Sequence, residues 1–136
     1  MKVFLDTNII LDFLDAKRPA HDQAVSIIQW LVSNSKEVFL SEDMLTTIYY
    51  ISKNKPQVLD FFTTISRLWH IVPFGQSVIH EAIAICQQNI SLDFEDTLQC
   101  LCAKANDCTT LITNDKGFYS CGIESVSSDE FLIQRI

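Results

Sequence analysis

The chain of 136 residues contains only three Gly and three Pro, and it has no low-complexity stretch and no internal repeat. That scarcity excludes long flexible linkers, so the elements must follow one another through short polar turns, as one domain over residues 1–136. No apolar run approaches the length of a membrane span, which argues against a membrane role. Basic residues are also in short supply. Ten Lys and Arg against seventeen Asp and Glu leave a net charge of -7. Tight binding of nucleic acid by phosphate neutralisation alone needs clustered cations, so that mode is disfavoured unless metal ions carry the positive charge. There is no glycine-rich phosphate loop and no Gly-x-Ser-x-Gly elbow near His21, His70 or His80, so nucleophilic hydrolysis has little support.

The five cysteines, Cys86, Cys100, Cys102, Cys108 and Cys121, are odd in number. Met1-Lys2-Val3-Phe4-Leu5-Asp6 places an acid where a signal peptide needs its apolar core. The expectation is a cytoplasmic protein with reduced thiols. Cys100-x-Cys102 lacks a second paired motif, so no structural zinc is expected.

What is present is an alternation of short apolar strands and amphipathic helices. Lys2 to Leu5 reads as a strand, residues 9 to 15 as a short helix broken by Lys17-Arg18-Pro19, and His21 to Ser33 as a helix on Ala24, Ile27, Ile28 and Leu31. Glu37–Ser41 is a second strand, followed by helices over 43–53 and from Pro56 to Leu68. Trp69 to Phe74 is a third strand shut off by Gly75, with helices over 77–88 and from Asp93 to Asn106 behind it. Thr109 to Thr113 and Ile123 to Val126 complete five strands, and Ser128-Asp129-Glu130 caps a closing helix. The predicted class is α/β: a mostly parallel five-stranded sheet covered on both faces, a three-layer α/β/α arrangement.

Three acids recur at equivalent places in that layout. Asp6 ends the first strand, Asp115 follows the fourth, and Asp96 lies in the first turn of the helix that begins at Asp93. Strand ends and helix starts share one edge of a parallel sheet, the edge where ligands bind, so these carboxylates can meet. Asp93 and Asp96, three apart, share a helical face. Each also has a plainer reading: helix capping for Asp6 and Asp93, the helix dipole for Asp96, and an ordinary turn for Asp115. Clustered carboxylates persist where a cation bridges them, and ligation by oxygen alone suits Mg²⁺ or Mn²⁺ rather than zinc.

Leu5-Asp6-Thr7-Asn8-Ile9-Ile10-Leu11-Asp12-Phe13-Leu14 resembles the opening motif of PIN domains, in particular the VapC-like bacterial toxins. Asp93-Phe94-Glu95-Asp96-Thr97-Leu98-Gln99 is similar to that family's central acidic motif, and Ile112-Thr113-Asn114-Asp115-Lys116-Gly117-Phe118 to its late motif; residues 127 to 132 resemble its tail. The resemblance runs through essentially the whole chain in the right order. It implies a PIN-like fold and a metal-dependent endoribonuclease, the toxin of a toxin–antitoxin pair and a homodimer, with RNA as substrate and an antitoxin protein as partner. Asp6, Asp96 and Asp115 then stand as catalytic metal ligands, with Asp93 as a further ligand candidate. Thr7, Asn8, Thr113 and Asn114 stand behind them to orient ligands or water, and Lys17, Arg18, Lys53, Lys55 and Lys116 are candidates for positive charge around the mouth.

The chain departs from the family at one place. A further acid usually stands six residues after a Ser such as Ser41; here that position is Thr47. The loss of a carboxylate weakens metal binding, unless Glu42, Asp43 or Asp93 compensates. It also motivates a second reading, a catalytically weak PIN-fold module that binds RNA or a protein without cutting. A phosphohydrolase or phospho-receiver of the same class would require a paired Asp-x-Asp that is absent.

Overall fold

A computed structural model describes residues 1–135. The elements run β1 (Lys2–Leu5), α1 (Thr7–Leu14), α2 (His21–Ser33), β2 (Glu37–Ser41), α3 (Glu42–Ile51), α4 (Lys55–Leu68), β3 (His70–Val72), α5 (Gly75–Gln88), α6 (Phe94–Ala105), β4 (Thr110–Ile112), β5 (Glu124–Val126) and α7 (Ser128–Arg135). The five strands form one sheet in the order β3-β2-β1-β4-β5, and every neighbouring pair is parallel.

The strand order reverses at β1. From β1 the chain steps outward to β2 and β3 through α1 to α4, then returns across the sheet to β4 through α5 and α6. Right-handed crossovers in opposite directions place their helices on opposite faces. The contacts agree: α1 packs on α2 and α3, α3 on α4 and α2 on α7, whereas α5 and α6 pair with each other and α6 lies against β2. The strands are apolar because both faces are covered. Val3, Phe4, Leu5, Val38, Leu40, Leu111 and Ile112 are all fully buried. A smaller cluster of Val78, Ala82, Leu98 and Leu101 joins α5 to α6.

Local chemistry sets the element ends, and several fall away from where the sequence placed them. Helix α1 begins at Thr7 rather than residue 9, because Asp6 caps it through the Thr7 N–H at 2.8 Å. The third strand stops at Val72. Gly75 turns the chain into α5 with φ +79°, a conformation that L side chains rarely adopt. The closing helix is capped by Ser127 rather than by residues 128–130. The Glu130 N–H donates to Ser127 Oγ, and the Ser127 N–H donates to Glu130 Oε1, both at 3.1 Å. The parallel pair β4 and β5 is joined by residues 113–123 with no helix between them.

The thiols also differ from expectation. Cys100 and Cys121 are joined in a disulfide, with Cα atoms 6.1 Å apart, while Cys86, Cys102 and Cys108 are free. No helix among the described residues is long and apolar enough to cross a membrane.

Candidate active site

The crevice where the strand order reverses lies between the carboxyl ends of β1 and β4, and that is where an open α/β sheet receives ligands. Asp6 sits there and is only 8% exposed. Its backbone N–H donates to the Ile112 carbonyl at 3.0 Å, continuing the pairing with β4. Both carboxylate oxygens are engaged, Oδ1 by the Thr7 N–H and Oδ2 by the Thr113 hydroxyl, each at 2.8 Å. The Thr113 hydroxyl oxygen in turn accepts from the Asp115 N–H at 3.1 Å, so one side chain links the two acids. Burial pushes the Asp6 carboxyl above its usual range. The hydrogen bonds from Thr113 and Thr7 pull it down, and the charges of Asp115 and Asp12 push it up again. Asp115 is exposed, and its Oδ1 accepts from the Gly117 N–H at 2.9 Å, closing the turn.

The start of α6 brings the second group of acids. Asp93 caps the helix, its Oδ1 accepting from the Asp96 N–H at 2.9 Å, while the Thr97 hydroxyl donates to the Asp93 carbonyl at 2.8 Å. Burial, then the charges of Asp93, Asp6, Asp115 and Glu95, push Asp96 up to about 7. Glu95 is raised as well, first by burial and then by Asp43, Asp93 and Asp6. The strand ends, the start of α3 and the start of α6 therefore share one negative field. Among the described residues, no three His, Cys, Asp or Glu side chains converge into a metal-holding group. The donor chemistry nevertheless suits a hard divalent cation: oxygens only, crowded enough that Asp96 resists ionisation. Two neighbouring positions add polar atoms without partners, Ser41 Oγ at the end of β2 and both amide atoms of Gln99, one turn on from Glu95 in α6.

The structure places the remaining sequence-derived candidates in more varied roles. Thr7 is buried and engages Asp6 through its backbone N–H. Asn8 is exposed and accepts from Arg18 Nη2 at 3.3 Å. Asn114 faces α7: its Nδ2 donates to Ser128 Oγ at 2.9 Å, and its Oδ1 accepts from the Ser128 N–H at 2.8 Å. Thr47 is half-buried one turn beyond Asp43 in α3, and lines a shallow surface hollow with Thr46, Tyr50 and Ile51. Of the candidate cations, Arg18 and Lys116 line hollows shared with Asp115, Lys116 together with Thr113 and Asn114. Among the described residues, Arg18 is the one of them with an acid partner. It pairs with Asp12 at 2.7 Å and lines a hollow of about 470 Å³ with Asn8, Asn114 and Asp115. Lys17 and Lys53 line a separate hollow between α1, α3 and α4. Lys55 is not a mouth residue; its ammonium donates to the Tyr49 and Ser52 carbonyls at the end of α3. Sequence reasoning passed over Glu95 and Gln99. The available signal was their spacing, since Glu95 is adjacent to Asp96 and Gln99 follows it by three residues on the same face.

A family model for the PIN domain matches residues 2–117. Ribonuclease VapC1 of Aquifex aeolicus is 37% identical over 133 residues, covering 96% of this chain and 92% of that protein. Among solved structures, a toxin–antitoxin complex from Klebsiella pneumoniae superposes with a TM-score of 0.70 at 19% identity, covering 93% of this chain and 97% of that one. VapC20 of Mycobacterium tuberculosis, a sarcin–ricin loop cleaving toxin, gives 0.70 at 13% identity, covering 89% and 95%. At such identities, the structural likenesses speak for the fold.

Proposed function

The chain belongs to the PIN-domain family, and we propose that it is a metal-dependent endoribonuclease, the toxin of a toxin–antitoxin pair, that hydrolyses RNA phosphodiester bonds in the cytoplasm. The observation that carries this reading is the Asp6–Thr113–Asp115 linkage at the strand-order reversal, facing an Asp96 that its acidic neighbours push up to about 7. The ribonuclease relative supports the activity, and the toxin–antitoxin complex among the structural neighbours supports an antitoxin partner. A homodimer completes the reading. Exposed Tyr50, Ile51 and Leu59 on α3 and α4 offer apolar surface of the kind that protein partners cover.

Asp6, Asp96 and Asp115 would hold one or two Mg²⁺ or Mn²⁺ ions, with Asp93 or Glu95 as candidates for a further ligand. When bound, the cation lowers the pKa of water and neutralises charge on the scissile phosphate. The chain's own residues do the rest. Thr113 fixes the orientation of the Asp6 carboxylate and the backbone of Asp115 at the same time. Asp96 would have to be ionised to hold a cation, because ligation requires the carboxylate. Arg18 lines the hollow beside Asp115 while paired with Asp12, and its remaining donors would serve a phosphate there.

The test is cleavage of RNA by the full chain with Mn²⁺, with Mg²⁺ and with excess EDTA. The expected result is cleavage with metal, none with EDTA, and loss in Asp115→Asn. Cleavage that persists in both EDTA and Asp115→Asn would overturn the reading. RNA binding without cleavage at millimolar Mn²⁺ would favour the non-cutting module instead.

A further inference from the structure

Cys100 lies fully buried on α6, one turn beyond Asp96, and is bonded to Cys121, which is half-buried in the 113–123 connection that also carries Asp115. One covalent bond therefore fastens the helix bearing Asp96 to the segment bearing Asp115. The proximal part of that connection has its own ties, through Thr113, the Asp115–Gly117 turn and the Phe118 N–H to the Asp115 carbonyl at 3.1 Å. For Cys121 itself, the noncovalent ties among the described residues include Lys104 Nζ of α6, which donates to its carbonyl at 3.2 Å, and packing against the apolar cluster of Val78, Ala82, Leu98 and Leu101.

We propose that Cys100 and Cys121 form a reversible redox latch, closed by a small-molecule disulfide, that sets how firmly the 113–123 connection is held against α6. The pairing is set by geometry: Cys121 is half-buried and Cys100 lies across from it, with Cα atoms 6.1 Å apart. Cys102 and Cys108 are buried, and burial pushes their thiols up to about 11 and about 12, so neither offers an accessible thiolate to start an exchange. The Cys86 thiol donates to the Thr97 hydroxyl at 3.6 Å. Closure begins when the Cys121 thiolate, the more accessible of the pair, attacks one sulfur of the small disulfide and expels one thiolate. Cys100 then attacks the Cys121 sulfur and expels the second small thiolate, which takes up the Cys100 proton. Two cysteine thiols and one small disulfide become one protein disulfide and two small thiols, with two electrons passing to the small molecule. An excess of reduced thiol reverses both steps. In a compartment whose thiol pool is reducing, the bond is then conditional rather than permanent.

Closing the 100–121 loop removes open conformations of the connection. A connection already held in place loses less freedom when a cation draws Asp96 and Asp115 together, so the closed form should bind metal more tightly. This last consequence rests on the nuclease reading; the latch itself does not.

The test compares the full chain after oxidised glutathione and after dithiothreitol, with Cys121→Ser beside it. Oxidation should remove the mass of two hydrogens, yield a linked Cys100–Cys121 peptide and slow amide exchange in 113–123. It should also raise the melting temperature by about 5 °C or more. Mn²⁺ should bind about tenfold more tightly to the oxidised form. Cys121→Ser, at a half-buried loop position that folding should tolerate, should match the reduced protein under both conditions. Glutathione treatment that links other cysteines, or links this pair without slowing exchange in 113–123, would overturn the latch. Slowed exchange with no Mn²⁺ binding in either state would sustain the latch and overturn the metal reading.

Discussion

Asp6 and Asp96 are the same residue type at the same edge of the sheet, yet they are held in opposite ways. Asp6 ends the central strand, is buried, and has both carboxylate oxygens occupied by donors from two segments. Asp96 sits half-exposed in the first turn of α6. Among the described residues its backbone N–H is tied to Asp93, while no hydrogen bond reaches its carboxylate. The sheet thus supplies a fixed anchor and the helix an adaptable one. The cation site proposed above would draw on both, since ligands all locked around empty space would have to confine unrelieved negative charge. The pKa pattern shows that tension: donors pull Asp6 down against its burial, whereas every force on Asp96 pushes it up.

Substitutions and pH can break or sharpen this contrast. The largest effect should come from Asp6→Asn, which leaves either the Thr7 N–H or the Thr113 hydroxyl facing an amide that cannot accept from both. Mn²⁺-dependent RNA cleavage should fall by more than about 100-fold while circular dichroism stays native. Thr113→Val removes the donor to Asp6 and the acceptor for the Asp115 N–H. A loss of about 10- to 100-fold in Mn²⁺ affinity is expected, together with about 1–3 kcal/mol of stability by urea titration; wild-type values for both would show that the anchor does not depend on its hydroxyl.

The adaptable half should respond to pH. Asp96 is raised from 3.8 to about 7, so the folded state binds more protons than the unfolded state between those values. Metal-free stability should therefore fall as pH rises through that window and level off above it. Mn²⁺ affinity should move the other way, rising by up to about tenfold per pH unit below 7 and flattening above. Calorimetry from about pH 5 to about pH 8 measures this, and a profile unchanged in Asp96→Asn would refute the assignment. The smallest effect is reserved for Thr47→Glu, which adds a carboxylate one turn beyond Asp43. An increase in Mn²⁺ affinity of about tenfold or less is expected. No increase would mean that Glu95 already supplies what the position lacks.

Much of this arrangement was legible from local chemistry. A strand such as Val-Phe-Leu ending in Asp6 declares both a buried parallel strand and an acid at its tip, and the helix spacing of Ala24, Ile27, Ile28 and Leu31 matches their burial. What stayed hidden depended on chain segments far apart in sequence. Glu95 shares a field with Asp43 and Asp6 because α6 crosses back over the sheet, which no local spacing encodes. Asn114 reads as a site residue beside Asp115, but its amide is committed to Ser128 across the next connection. The Cys100–Cys121 pairing was out of reach for the same reason, since two cysteines 21 residues apart can bond only where the fold brings them together. Gly75 reads as the stop of the third strand, but that strand already ends at Val72 and the positive φ of Gly75 begins α5.

The pairing of β1 with β4 also bears on the order of events during synthesis. The hydrogen bond between Asp6 and Thr113 spans 107 residues, so β1 must wait for β4 to be made before its acid is fixed. Contacts of such long sequence separation form late and slowly. A nascent chain of this design carries its acids unassembled past the very RNA machinery that is making it. The crevice is completed when residue 113 is free to pair with the first strand, so for the nuclease proposed above the topology would delay any cleavage until the sheet is nearly assembled.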